Sequence, residues 1–146
     1  ENHRDQLTDY FTEGLENGKL YTATDLWHAM STLETYRAYV RQFFLQFDIL
    51  LTPTLATPSF PVGLHPETID GAAVPHRHWG FTPFTYPFNM TGNTAASVPA
   101  GFTKSGLPVG LHIVGRYSGE TTVLSASARY EEASPWAERI PEIANF

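Results

Sequence analysis

TGNTAASVPAGFTKSGLPVGLHIVG occupies residues 91–115 of the chain. It holds two short apolar runs, Ala95–Phe102 and Val109–Val114, joined by the polar stretch Thr103–Gly106. A four-residue joint that ends in glycine predicts a hairpin, so the two runs are expected to pair as antiparallel strands near 95–114. Pro99 and Pro108 each remove a ladder donor, which confines them to an edge, a strand start or a bulge. Gly101 and Gly110 leave room for another backbone to come close.

Helical periodicity flanks this hairpin. Leu7, Tyr10, Phe11 and Leu15 predict a helix near 4–17, with Asn17-Gly18 suited to a left-handed cap. Leu26, Met30, Leu33, Tyr36, Val40, Phe44 and Phe47 predict a longer helix near 22–47. Thr22 and Asp25 form a variant capping box at its start, and Tyr39, Phe43 and Leu45 broaden its apolar face. Ile49–Leu51 in "DILLTPT" reads as a short strand buried on both faces. A last helix is expected near 119–133, with Ser118 as N-cap, Glu120 in the first turn and Pro135 beyond the end. Between strand and hairpin, residues 53–94 are dense in proline and aromatic residues. A linker seldom carries such large apolar groups, so an ordered, packed loop is expected over about 53–94.

The chain has 146 residues, the size of one ordinary domain. Charged residues make up only 16%, against a usual share of about a quarter, so either the surface is unusually uncharged or part of it is meant to be covered by other protein. With a net charge of −6 and no block of Lys or Arg, nucleic-acid binding is not expected. No apolar run approaches the roughly 20 residues of a membrane span, and "ENHRDQLTDYF" reads as neither anchor nor signal peptide. The absence of Cys removes disulfides, thiolate metal sites and a cysteine nucleophile, and argues for a cytoplasmic protein.

Motifs for chemistry are sparse. Neither G-x-S-x-G nor a phosphate-binding glycine loop occurs, and no cofactor is expected. Ser97 in "TAASVPAG" is the nearest approach to a nucleophile, but its strand setting supplies no activating base. His65, His76 and His78 share one loop; Arg77 between two of them disfavours a cation, so they read as surface histidines and no metal site is expected. Glu131 and Glu132 read as a solvated helix end.

"FDILLTPTLATPSFPVG", "FTYPFNMTGNTAASVPAGF", "SGLPVGLHIVGR" and "EEASPW", in this order, resemble the C-terminal part of the amidase signature family. That family comprises amide hydrolases and includes relatives of the A subunit of tRNA-dependent amidotransferases. The similarity runs from about Leu7 to Pro141. Asn89, Thr91, Gly92, Ala95, Gly106, Leu107, Pro108, Val109 and Gly110 fit the family pattern, whereas Thr94 stands where proline is usual. The resemblance implies an α/β fold, the C-terminal part of a mixed β-sheet flanked by helices. Residues 1–146 would form the C-terminal segment of an amidase domain whose catalytic N-terminal part is absent.

The resemblance also implies hydrolysis of a C–N amide bond by a Ser-Ser-Lys triad. In the family these groups lie upstream, and no catalytic residue carries over: the chain has no Ser-Ser pair, and its lysines, Lys19 and Lys104, stand in other contexts. The 53–94 loop would help shape the pocket for a small-molecule amide, with His78, Trp79, Phe81 and Phe84 as candidate wall residues. Fastening the loop to the core is the other reading of these residues, since buried aromatics usually serve packing. The expected partner is the missing N-terminal part or a second copy. The alternative is a stand-alone, non-catalytic binding or self-associating module.

Overall fold

The computed structural model describes residues 3–74, 76 and 79–138. In chain order its elements are α1 (Asp9–Gly18), α2 (Ala23–Phe43), β1 (Ile49–Pro53), β2 (Thr68–Ile69), β3 (Ala72–Ala73), α3 (Tyr86–Thr91), β4 (Ala95–Phe102), β5 (Pro108–Gly115) and α4 (Glu120–Ala133). The hairpin forms as its sequence predicts, with β4 and β5 antiparallel and Val98 opposite Leu111. Their ladder shifts register between Pro99 and Phe102, and Pro108 opens β5, so both prolines sit where a missing donor is tolerated. β1 pairs antiparallel with the other side of β5, giving the order β1-β5-β4. The result is a mixed α/β structure with β5 at its centre.

The two-residue period of the strands sorts their side chains. Ala96, Val98, Leu111 and Ile113 share the face on which α4 packs; Val123 of α4 joins Val98 and Ile113 in the core, beside Ile49, Ala126, Tyr130 and Trp136. Each fully buried Val or Ile contributes about 1.5–3 kcal/mol relative to exposure. The opposite face carries Thr52, Ser97 and His112, the last of these buried. That face positions the candidate site.

Several boundaries differ from the sequence reading. Residues 4–17 do not form one helix: a 3-10 turn at Arg4–Gln6 is followed by Leu7 in extended backbone, and α1 starts afresh after Thr8. At its other end Gly18 takes no left-handed cap. Lys19 remains right-handed, with its amide bonded to the Glu16 carbonyl and its Nζ 2.8 Å from Glu16 Oε2, so tightened i to i+3 bonds close the helix. α2 begins with the expected capping box, Asp25 N–H donating to Thr22 Oγ1 (3.2 Å) and Thr22 N–H to Asp25 Oδ2 (2.8 Å). It ends at Phe43 rather than 47, where turns bonded back to Gln42 and Phe43 let Phe47 stack on Phe43 at 4.7 Å.

Ile49–Leu51 is not buried on both faces. β1 is an edge strand that continues through Thr52 and Pro53, and Leu51 is 53% exposed. Ser118 is not the N-cap of α4 either; it takes a positive φ of 53°, and Gly119 occupies the cap. No side chain caps the helix; Thr94 braces the turn before it, its Oγ1 accepting the Gly119 N–H at 3.1 Å, shared with the Arg116 carbonyl, and donating to Glu120 Oε1 at 3.1 Å. A proline there would offer neither bond. The 53–94 stretch contains the β2–β3 hairpin and α3, and α3 packs against α2.

Candidate functional site: a hydroxyl-lined groove

On the face of the sheet away from α4, Thr52 and Ser97 both stand opposite His112 in register. His112 is 4% exposed, its Nδ1 lies 3.2 Å from Thr52 Oγ1, and the Phe88 ring tilts against it at 5.8 Å. Burial pushes its pKa below the ordinary imidazole value, while a hydrogen bond to the Phe84 backbone pulls the other way. The ring is therefore neutral at neutral pH.

One step along the strands, Thr54 N–H donates to the Gly110 carbonyl at 3.0 Å, and its hydroxyl lies 2.7 Å from that of Ser97. The two hydroxyls meet because Gly110 has no side chain: a Cβ there would fall 2.5 Å from Thr54 Oγ1 and 2.7 Å from Ser97 Oγ. Around them opens a groove of about 450 Å³, lined by residues 54–59, 97–99 and 108–110. Leu55, Pro58, Val98, Pro99 and Val109 make it mostly apolar, and the hydroxyl pair gives it a fixed polar point. Concave, mainly apolar surface with a few placed polar groups is the usual form of a small-molecule site.

Of the sequence-proposed wall residues, the described ones, Trp79, Phe81 and Phe84, do not line this groove. Phe81 backs it: its carbonyl accepts the N–H of the groove residue Ala56 at 3.1 Å, and its ring packs on Phe60 (5.1 Å) and His65 (6.2 Å). Phe84 is half-buried and holds His112 through its backbone. Trp79 is 53% exposed and meets Tyr10 of α1 edge-on at 6.5 Å. His78 lies outside the described residues.

Ser97 enters the groove, but its hydroxyl is engaged by Thr54, while His112 is engaged by Thr52 and the Phe84 backbone. Among the described residues no group of three His, Cys, Asp or Glu could hold a metal. Sequence reasoning missed Thr54 and His112. Their signal was the two-residue alternation of Thr52 and Thr54 and a lone imidazole inside an apolar run.

A three-stranded sheet with a helix packed on one face and a groove beside its strands makes this a mixed α/β scaffold. The family described as Amidase matches residues 2–124, and the chain belongs to that family. It is 35% identical over 142 residues to an acylamidase of Rhodococcus erythropolis, covering 97% of this chain and 30% of that protein. It is 34% identical over 129 residues to an amidase of Pseudomonas putida, covering 88% of this chain and 28% of the relative. The crystal structure of a bacterial aryl acylamidase, an amidase signature enzyme, superposes with a TM-score of 0.79 at 30% identity over 93% of this chain and 28% of that one. The chain thus spans less than a third of the length of these relatives. No described helix is long and apolar enough to cross a membrane.

Proposed function

We propose that this chain supplies the C-terminal part of an amidase that hydrolyses a C–N amide bond, with the Thr54–Ser97 groove forming part of its substrate pocket. The observation that carries the reading is the groove itself: apolar walls, one hydroxyl pair locked over Gly110, and no described lysine or imidazole bonded to Ser97. The nucleophile, its relay serine and its lysine base would lie in the portion of the relatives that this chain does not span. Amide hydrolysis there needs a serine to attack the carbonyl, a neutral amine to take its proton and donors to hold the oxyanion. The groove's task is different. Its apolar wall excludes water from one substrate arm, and its hydroxyls orient a polar atom of that arm. We assign His78, Trp79, Phe81 and Phe84 to the pocket wall in the same proposal, Phe81 acting through its support of Ala56. A cysteine-free chain of this family fits a cytoplasmic enzyme.

The test begins with the intact mass of the native gene product and its turnover of simple amides. A product several times 16.3 kDa that hydrolyses amides is expected. In that enzyme Ser97→Ala should raise KM while a serine-directed reagent still labels the protein. Residues 1–146 alone should be inactive. Turnover by that chain alone, abolished by Ser97→Ala, would overturn the proposal. A product near 16.3 kDa without activity would favour a stand-alone, self-associating module. The bare apolar side chains of α2, with Trp27 66% and Tyr39 74% exposed, would then be its contact surface.

A further inference from the structure

We propose that Arg41 and Arg116 form a binding site for an oxyanion, a carboxylate or a phosphate group, separate from the amide-binding groove. The two side chains line a cavity of about 560 Å³ bounded by α2, the end of α3 and the turn between β5 and α4. The cavity shares no lining residue with the groove, so this inference does not depend on the amidase reading.

Charge accounting points to the ligand class. Arg37, Arg41 and Arg116 are three of only nine Lys and Arg residues in a chain of net charge −6, yet they face one cavity. Arg37 is committed elsewhere: its Nη1 lies 2.5 Å from Glu34 Oε1, and its Nε donates to the Met90 carbonyl at 2.9 Å, in the last turn of α3. Glu34 is the one acidic residue of the cavity wall, and Arg37 takes it up. Arg41, one helical turn further along α2, and Arg116 have no carboxylate within ion-pair distance among the described residues. Two like charges on one concave wall repel each other until an anion enters. The guanidinium fork presents parallel N–H donors that match two oxygens of one oxyanion.

The frame around these arginines is built rather than loose. The Arg116 carbonyl accepts N–H bonds from Gly119 at 3.1 Å and Thr94 at 3.5 Å. The Tyr117 ring lies over Gly92, the left-handed cap of α3 at φ 73°, where a Cβ would come within 3.3 Å of the ring. Asn93 Nδ2 donates to the Gly115 carbonyl at 2.7 Å, tying the end of α3 to the end of β5. The turn that carries Arg116 is thereby held against α3, which itself packs on α2.

The oxyanion has two sources, a free small-molecule anion or an acidic side chain elsewhere in the natural polypeptide. The test follows thermal unfolding of that full polypeptide, and of its R41Q/R116Q variant, as inorganic phosphate replaces chloride at constant ionic strength. A saturable rise in Tm of about 3 °C in the parent, absent in the variant, assigns a free anion. No response to phosphate, with a variant Tm several degrees lower and the deficit vanishing near 1 M salt, where the screening length is about 3 Å, assigns an internal carboxylate. Should the double variant not fold, each single variant is read in the same way. A parent unmoved by phosphate and variants with unchanged Tm would overturn the site, as would a deficit that salt does not reduce.

Discussion

Gly110→Ala tests whether the groove is held open by an absent side chain. Gly110 lies inside β5 without a positive φ, so the backbone alone favours alanine by about 0.4–1 kcal/mol through the unfolded state. The surroundings oppose this. The new methyl group would sit 2.5 Å from Thr54 Oγ1, 2.7 Å from Ser97 Oγ and 3.1 Å from Thr54 Cβ, well inside ordinary contact distance. Ser97 Oγ and Thr54 Oγ1 can rotate away at the cost of their mutual bond, but Thr54 Cβ is held in place by its residue's amide bond to the Gly110 carbonyl at 3.0 Å. Overpacking of this kind costs about 1–3 kcal/mol, and separating the hydroxyl pair removes a hydrogen bond worth about 1 kcal/mol. The net expectation is a loss of about 2 kcal/mol after the backbone gain. Urea denaturation of the natural polypeptide reads this directly, with the midpoint falling at constant slope. In a Thr54→Ala/Ser97→Ala background both oxygens are gone and only the 3.1 Å contact with the Cβ of residue 54 remains, so Gly110→Ala should cost clearly less there. A parent protein made more stable by Gly110→Ala, or an equal cost in both backgrounds, would refute the reasoning, because the backbone would then decide and not the hydroxyls.

Two further outcomes follow from the same face of the sheet and from its connection to α4. The folded pKa of His112 lies below its unfolded value of 6.5, so the unfolded chain binds the extra proton; stability is full above about pH 6.5 and is lost as pH falls toward the folded pKa. His112→Gln should flatten denaturation midpoints across that window, and a pH profile unchanged by the substitution would contradict the assignment. Thr94→Val keeps the shape of the side chain but removes the hydroxyl that accepts the Gly119 N–H and donates to Glu120. It should cost about 1 kcal/mol, and faster amide exchange at the start of α4 would accompany the loss; an unchanged midpoint would show that Thr94 does not brace this turn.

Local chemistry made much of this molecule legible. Thr22 and Asp25 announced the start of α2 because a capping box needs only residues three apart. Pro99, Pro108 and the Thr103–Gly106 joint framed the hairpin because missing donors and tight turns are properties of a few neighbours. The end of α2 was harder. Phe44 and Phe47 continue the helical apolar period, yet the chain leaves the helix after Phe43 and Phe47 stacks back on Phe43 from a turn.

What the chain determined by itself was therefore its alternation of elements, the antiparallel β4–β5 pair and the family it belongs to, each written in short-range patterns that survive without a partner strand. Tertiary structure alone decided which residues meet. Thr54 and Ser97 are 43 positions apart and touch only because β1 and β4 flank β5 at Gly110; Thr94 holds the Gly119 amide before α4 from 25 positions away. Arg41 and Arg116 share a cavity for the same reason. Register and packing bring such groups together, and neither periodicity nor composition carries information about contacts that form across strands.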